Sequence, residues 1–221
     1  MKSNFIVLKS NDPKYVFTPK WECKFVHSLI EDKNLLSDIT EYLISEKQNI
    51  IKKYQPKLYP GDFQLSEFAS RYMEYNLFDH AHDIECIQKL RPLIYESFKK
   101  IIKNSGDDTD YDPYVACWAM IMDPGETLQP HRHDNFEQSF LSGNMIISCE
   151  TSHTVYEMPY QQDCYPVDNE NGMMTIFESH LLHWTTPHNG KNPRVSIAFD
   201  FKENLDVCPP EYAHRFCKLN K

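Results

Sequence analysis

Three histidines and one arginine in the second half of the chain have the types and spacing to do chemistry. His131 and His133 stand one residue apart in Pro130-His131-Arg132-His133. On an extended segment side chains alternate with period two, so both imidazoles would point at one object. His183 follows Gly172-Met173-Met174-Thr175-Ile176-Phe177, which reads as a turn and a short buried strand. Imidazoles converging from separate strands are how a β-barrel builds a metal site, and they suit iron, copper, zinc or nickel. Further on, Arg194-Val195-Ser196-Ile197-Ala198-Phe199-Asp200-Phe201 alternates so that Arg194, Ser196 and Ala198 share one face. A buried guanidinium with a hydroxyl two residues along is a planar charged fork suited to a carboxylate. Without an anion it would be costly to bury, so the strand predicts an anionic ligand.

The elements that must position these groups follow from periodicity and turn residues. Residues 5–8 read as an edge strand and 21–26 as a second strand. Leu29, Ile30, Leu35, Leu36, Ile39, Leu43 and Ile44 recur at helical spacing toward Ile50 and Ile51, giving a helix whose stripe packs on a sheet. Residues 54–61 form a loop with Pro56, Pro60 and Gly61. A second helix is expected from an N-cap at Asp83 to Lys103, broken or kinked near Arg91 by Pro92. The acidic stretch 106–112 lacks calcium-loop spacing and reads as a linker. From Tyr114 onward the chain is a succession of strands: 115–122, one from 127 carrying His131 and His133, 142–149, 154–158, 173–177, 182–185 and 195–201. Residues 161–171, polar and containing Pro166, read as a loop, and the tail from Asn204 carries no signal. The expected fold is mainly β with flanking helices: a double-stranded β-helix, or jelly-roll of cupin-like form, packed by N-terminal helices. It is read as a single domain over 1–221, with helical support and outer strands in 1–112, the barrel in 113–203 and a tail in 204–221.

The ordered set Trp118, Pro124-Gly125, His131-x-His133, Leu141-Ser142-Gly143, Gly172, Phe177-x-Ser179, His183, Thr186-Pro187 and Arg194-x-Ser196-x-Ala198-Phe199 resembles a known family. It is similar to the iron(II)- and 2-oxoglutarate-dependent oxygenases of the small bacterial and phage type, relatives of the prolyl 4-hydroxylase-like enzymes. The resemblance covers roughly residues 114–201 and, more loosely, 70–78, where Arg71 or Tyr75 could reach the pocket mouth but read more readily as packing and surface residues. It implies Fe(II) and 2-oxoglutarate as cofactors, O2 as co-reactant, and oxidative decarboxylation coupled to hydroxylation, with release of succinate and CO2. It assigns His131 and His183 to the metal and Arg194, helped by Ser196, to the distal carboxylate of 2-oxoglutarate. The wider superfamily places a basic residue at the spacing that separates Arg194 from His183.

The chain departs from that superfamily at one position, where an acid usually follows the first histidine and His133 stands instead. Three arrangements are therefore open: a face of His131, His133 and His183; His131 and His183 alone with water; or a carboxylate from Asp134 or Glu137 brought in through a bulge. A cupin-type dioxygenase or isomerase is the alternative enzyme. Gly125, His131, His133 and Glu137 match the first cupin motif and 172–183 the second, but Arg194-x-Ser196 is then unexplained. A non-catalytic barrel that binds a sugar or carboxylate is the third reading.

Composition narrows the partners. A formal charge of −9 argues against an unassisted grip on nucleic acid. Seven cysteines without a CxxC pair, and no recognisable secretion signal or membrane span, point to reduced thiols in the cytoplasm. The substrate classes that fit are a small molecule, an amino acid or a peptide side chain, and a homodimer is the default assembly. Trp118, Tyr156 and Trp184 are candidates for a pocket wall. His80 and His82 diverge at a helix start, and His27, His153, His180, His188 and His214 read as surface or packing residues.

Overall fold

In the computed structural model, which describes residues 1–12, 15–17, 19–53, 76–133, 139–160, 163–206 and 208–220, the chain opens with a hairpin of β1 (Lys2–Lys9) and β2 (Glu22–Leu29). Helix α1 (Lys33–Lys53) follows. The Asp32 carboxylate accepts the Leu35 N–H at 3.0 Å, so the helix begins after Leu29 and Ile30 even though both fit its apolar spacing. Leu35, Leu36, Ile39, Leu43 and Ile50 form its buried stripe. Two short helices, α2 (Leu77–His80) and α3 (Glu85–Gln88), lead into α4 (Leu90–Asn104). The helix expected from Asp83 is divided, as its expected break near Arg91 required, with Ile84 before α3 and a restart at Leu90. Pro92 accounts for the restart: in the first turn of α4 its missing N–H has no intrahelical partner to lose.

The β half contains β3 (Tyr114–Met122), β4 (Leu141–Ser148), β5 (His153–Glu157), β6 (Cys164–Asp168), β7 (Met173–Glu178), β8 (His183–Thr185) and β9 (Arg194–Lys202). A short helix, α5 (Pro210–Ala213), and β10 (Cys217–Lys218) end it. One antiparallel sheet runs β1-β2-β7-β4-β9-β3-β10 and the other β6-β5-β8. Together they form a double-stranded β-helix whose large sheet carries α1 and α4 on its outer face, with Val26, Ile39, Leu43, Ile94, Phe98, Ile197 and Phe199 in one shared core. A second cluster, including Phe25, Tyr156, Phe177 and Leu181, fills the interior behind the histidines.

Two expectations are corrected, and the tail, for which the sequence carried no signal, takes on structure. Residues 164–168 form strand β6, not a loop; Pro166 sits opposite Val155 on an edge strand, where its missing N–H breaks no ladder. The segment expected to be a strand from 127 is irregular, joined to β8 by an isolated bridge between His131 and His183. The tail is structural, because β10 pairs with β3 and Phe216 and Leu219 are buried. At one close approach, Gly143 of β4 lies opposite Phe199 of β9, and a Cβ there would run into the Phe199 ring.

Candidate metal centre and co-substrate pocket

The backbone brings the histidines together before any side chain acts. His131 and His183 exchange N–H···O bonds of 3.0 Å in both directions, and the His133 N–H reaches the Ser179 carbonyl at 3.0 Å. Residues 131–133 therefore run along the open side of β8 as an antiparallel partner, which points both of their rings inward. The ring centroids lie 4.3 Å apart for His131 and His183, 5.0 Å for His131 and His133, and 5.1 Å for His133 and His183. One nitrogen from each of the three lies within 4.8 Å of the others.

Hydrogen bonds decide which nitrogen that is. The His131 Nδ1 faces the Gln129 carbonyl at 2.8 Å and the His183 Nδ1 faces the Leu181 carbonyl at 2.9 Å. A carbonyl only accepts, so each Nδ1 carries the proton and each Nε2 keeps its lone pair. The His133 Nδ1 meets both oxygens of Asp200, at 2.8 and 2.9 Å, with the same consequence. Burial reinforces this state: it lowers the His131 pKa to about 4, helped by the neighbouring His133, and holds His183 well below its usual value. Phe177 stands edge-on to His183 at 4.8 Å, Tyr156 stacks on it at 5.8 Å, and Trp118 stacks on His133 at 6.0 Å. Trp184 lies between His183 and Thr185 on the short strand, so the alternation turns it away from the site.

Arg194 opens β9 and is 3 % exposed. Its guanidinium donates to the Met122 sulfur at 3.2 Å, its Nε has no hydrogen-bond partner, and no carboxylate of the described residues pairs with it. Burial pushes its pKa down, partly offset by the nearby Cys149 thiol and Tyr156 phenol. Ser196, also buried, follows on the same face of β9. The Tyr156 hydroxyl, fully buried, accepts from Asn144 Nδ2 at 3.5 Å, and burial pushes its pKa well above the usual phenol value. Tyr156 thus links the histidine face to the guanidinium.

Among the described residues the three imidazoles of the first arrangement meet, and with them the His131 and His183 pair of the second. Asp134, Glu137, Arg71 and Tyr75 lie outside those residues. Sequence reasoning missed the role of Asp200. Its signal was available, since an acid in the apolar run of β9 shares the face of Arg194 and Ser196, and a buried acid requires a partner. Ser142, which donates to Asp200 at 2.6 Å, and Ser179, 2.7 Å from Ser142, complete that network.

Comparison with known proteins agrees with this geometry. Residues 144–200 match the family described as "Putative 2OG-Fe(II) oxygenase". That span reaches from β4 to β9 and includes His183, Arg194 and Ser196, but not His131 or His133. No curated protein matches the chain. Among solved structures, a Pseudomonas putida prolyl-4-hydroxylase is similar at a TM-score of 0.54 and 11% identity, covering 81% of this chain and 92% of that one. The non-heme α-ketoglutarate-dependent epimerase SnoN from nogalamycin biosynthesis aligns at 0.55 and 10% identity, over 86% and 83% of the two chains. A Trichoplax adhaerens prolyl hydroxylase, in complex with a hypoxia inducible factor peptide fragment, aligns at 0.52 and 11%, over 80% and 83%. At such identities these likenesses establish the double-stranded β-helix fold. The family match implies Fe(II) and 2-oxoglutarate, and the residues fit both: a face of imidazole lone pairs for the metal, and a buried cation without a described counter-ion for the dicarboxylate.

Proposed function

We propose that this chain is an Fe(II)- and 2-oxoglutarate-dependent dioxygenase that hydroxylates a small molecule, an amino acid or a peptide side chain. The observation that carries the reading is the buried Arg194, placed on the same barrel interior as three imidazoles that each present Nε2. His131, His133 and His183 hold the metal. Arg194 takes the far carboxylate of 2-oxoglutarate in a charge-assisted fork, with Ser196 as an added donor. Tyr156 and Phe177 wall the space between clamp and metal and keep water out. Iron(II), 2-oxoglutarate and O2 supply the oxidising chemistry, in which 2-oxoglutarate leaves as succinate and CO2 and the substrate gains a hydroxyl. The unit acts as one oxygenase over 1–221, with 1–112 supporting the barrel in 113–203. A peptide fits because one similar protein was solved with a peptide fragment bound, while another is an epimerase; the fold alone does not choose among reactions.

The test is anaerobic addition of iron(II) and then 2-oxoglutarate, followed by the visible charge-transfer band of the ternary complex. The band should form in the wild type and need far more 2-oxoglutarate in Arg194→Ala. If iron binds and 2-oxoglutarate leaves the spectrum unchanged, Arg194 is not the clamp and a cupin-type enzyme replaces this reading.

A further inference from the structure

Among the described residues the face of three imidazoles includes no carboxylate, and the structure holds one directly behind it. We propose that Asp200 is a positioning residue of the metal centre, fixing His133 with Nε2 toward the metal and setting a negative charge one step behind the three imidazoles. The proposal rests on the assignment of His131, His133 and His183 as ligands made above.

Asp200 is 1 % exposed, and both its oxygens lie within hydrogen-bond reach of His133 Nδ1, at 2.8 and 2.9 Å. One oxygen also accepts the Ser142 hydroxyl at 2.6 Å, and Ser142 contacts Ser179 at 2.7 Å, so the carboxylate is held from β9, β4 and the segment before β8. The Ser179 carbonyl in turn receives the His133 N–H at 3.0 Å. Ring and backbone of His133 are therefore fixed by one continuous network. The apolar side chains Ile197, Phe199 and Phe201 take the other face of β9, and Asp200 shares its own face with Arg194 and Ser196. Burying a carboxylate is costly unless it is paired, and a carboxylate behind a ligating imidazole both selects the tautomer and strengthens the donor.

Anaerobic titration with cobalt(II), read by its visible absorption, tests this in wild type, Asp200→Asn, His133→Ala and the double variant. Thermal unfolding of each metal-free protein verifies that it is folded. Asparagine keeps an acceptor for Nδ1 but not the charge, so cobalt should bind Asp200→Asn about 10–100-fold more weakly. In the His133→Ala background the same substitution should change affinity little, because Asp200 acts through His133. Equal affinity in wild type and Asp200→Asn overturns the proposal and leaves the ligand set standing. Cobalt affinity in His133→Ala equal to wild type sinks the ligand set itself, and this proposal with it. Ring nitrogen NMR of the zinc-loaded wild type needs no substitution: a protonated Nδ1 and metal-bound Nε2 at His133 support the proposal, and the reverse pattern, or a doubly protonated ring, refutes it.

Discussion

A guanidinium stripped of water and left without a described carboxylate is a liability to the empty protein and an asset to the loaded one. Arg194→Ala should weaken 2-oxoglutarate binding by about 2–5 kcal/mol while leaving metal affinity near wild type, measured by titration of the metal-loaded protein. Arg194→Met should raise the unfolding midpoint of the ligand-free protein, because an uncompensated buried charge is exchanged for an apolar side chain of similar length. The histidines give a pH dependence of definite sign. Burial lowers the His131 pKa from its usual 6.5 to about 4, and His183 moves the same way. Between those values the unfolded chain binds protons that the folded one refuses, so stability rises with pH. Chelator-treated protein should therefore lose stability as pH falls from 6.5 toward 4, read as a falling urea midpoint.

The elements that hold these residues depend on a few points of close approach. Gly143→Ala should destabilise the protein by about 1–3 kcal/mol through overpacking against Phe199, seen in denaturant unfolding. Asn76 is a less visible joint: its amide nitrogen donates to the Val115 and Arg215 carbonyls at 2.8 Å each, while its oxygen caps α2 by accepting the Phe78 N–H at 3.0 Å. Asn76→Ala should cost about 2–4 kcal/mol by leaving those buried groups unpaired, again by denaturant unfolding. Such joints mark the limit of what the sequence discloses. Strands with strong alternation or long apolar runs, such as β3, β4, β7 and β9, were legible within a residue or two at their ends. The histidine pair was legible from its spacing, although its segment proved irregular. Strand β6 was hidden because Pro166 and polar residues argue for a loop, and only its position at a sheet edge makes them tolerable. Asp200 was hidden for another reason: its partner His133 lies far away in sequence, and period two tells which face a side chain takes but not what it meets.

Across the whole chain, the last residues join the support to the barrel. β10 extends the large sheet beyond β3, Arg91 of α4 donates to the Lys218 carbonyl at 2.8 Å, and Phe216 and Leu219 are buried in the shared core. Truncation before Arg215 should remove about 1.5–3 kcal/mol for each of those two side chains, with a lower thermal midpoint as the readout. Among the described residues no helix is long and apolar enough to cross a membrane. None of the seven cysteines is in a disulfide, and they are spread through both halves. The bridge between His131 and His183 sets the histidine face on the small sheet, whereas Asp200 and Arg194 belong to β9 of the large one. A cation in that place would act as a rivet through two plates: the imidazoles it gathers are fastened to one plate, and the carboxylate bracing the third imidazole is fastened to the other. Opening the barrel would then require loosening the rivet first, so amide exchange along β8 and β9 should slow together when metal is added and quicken together when it is withdrawn.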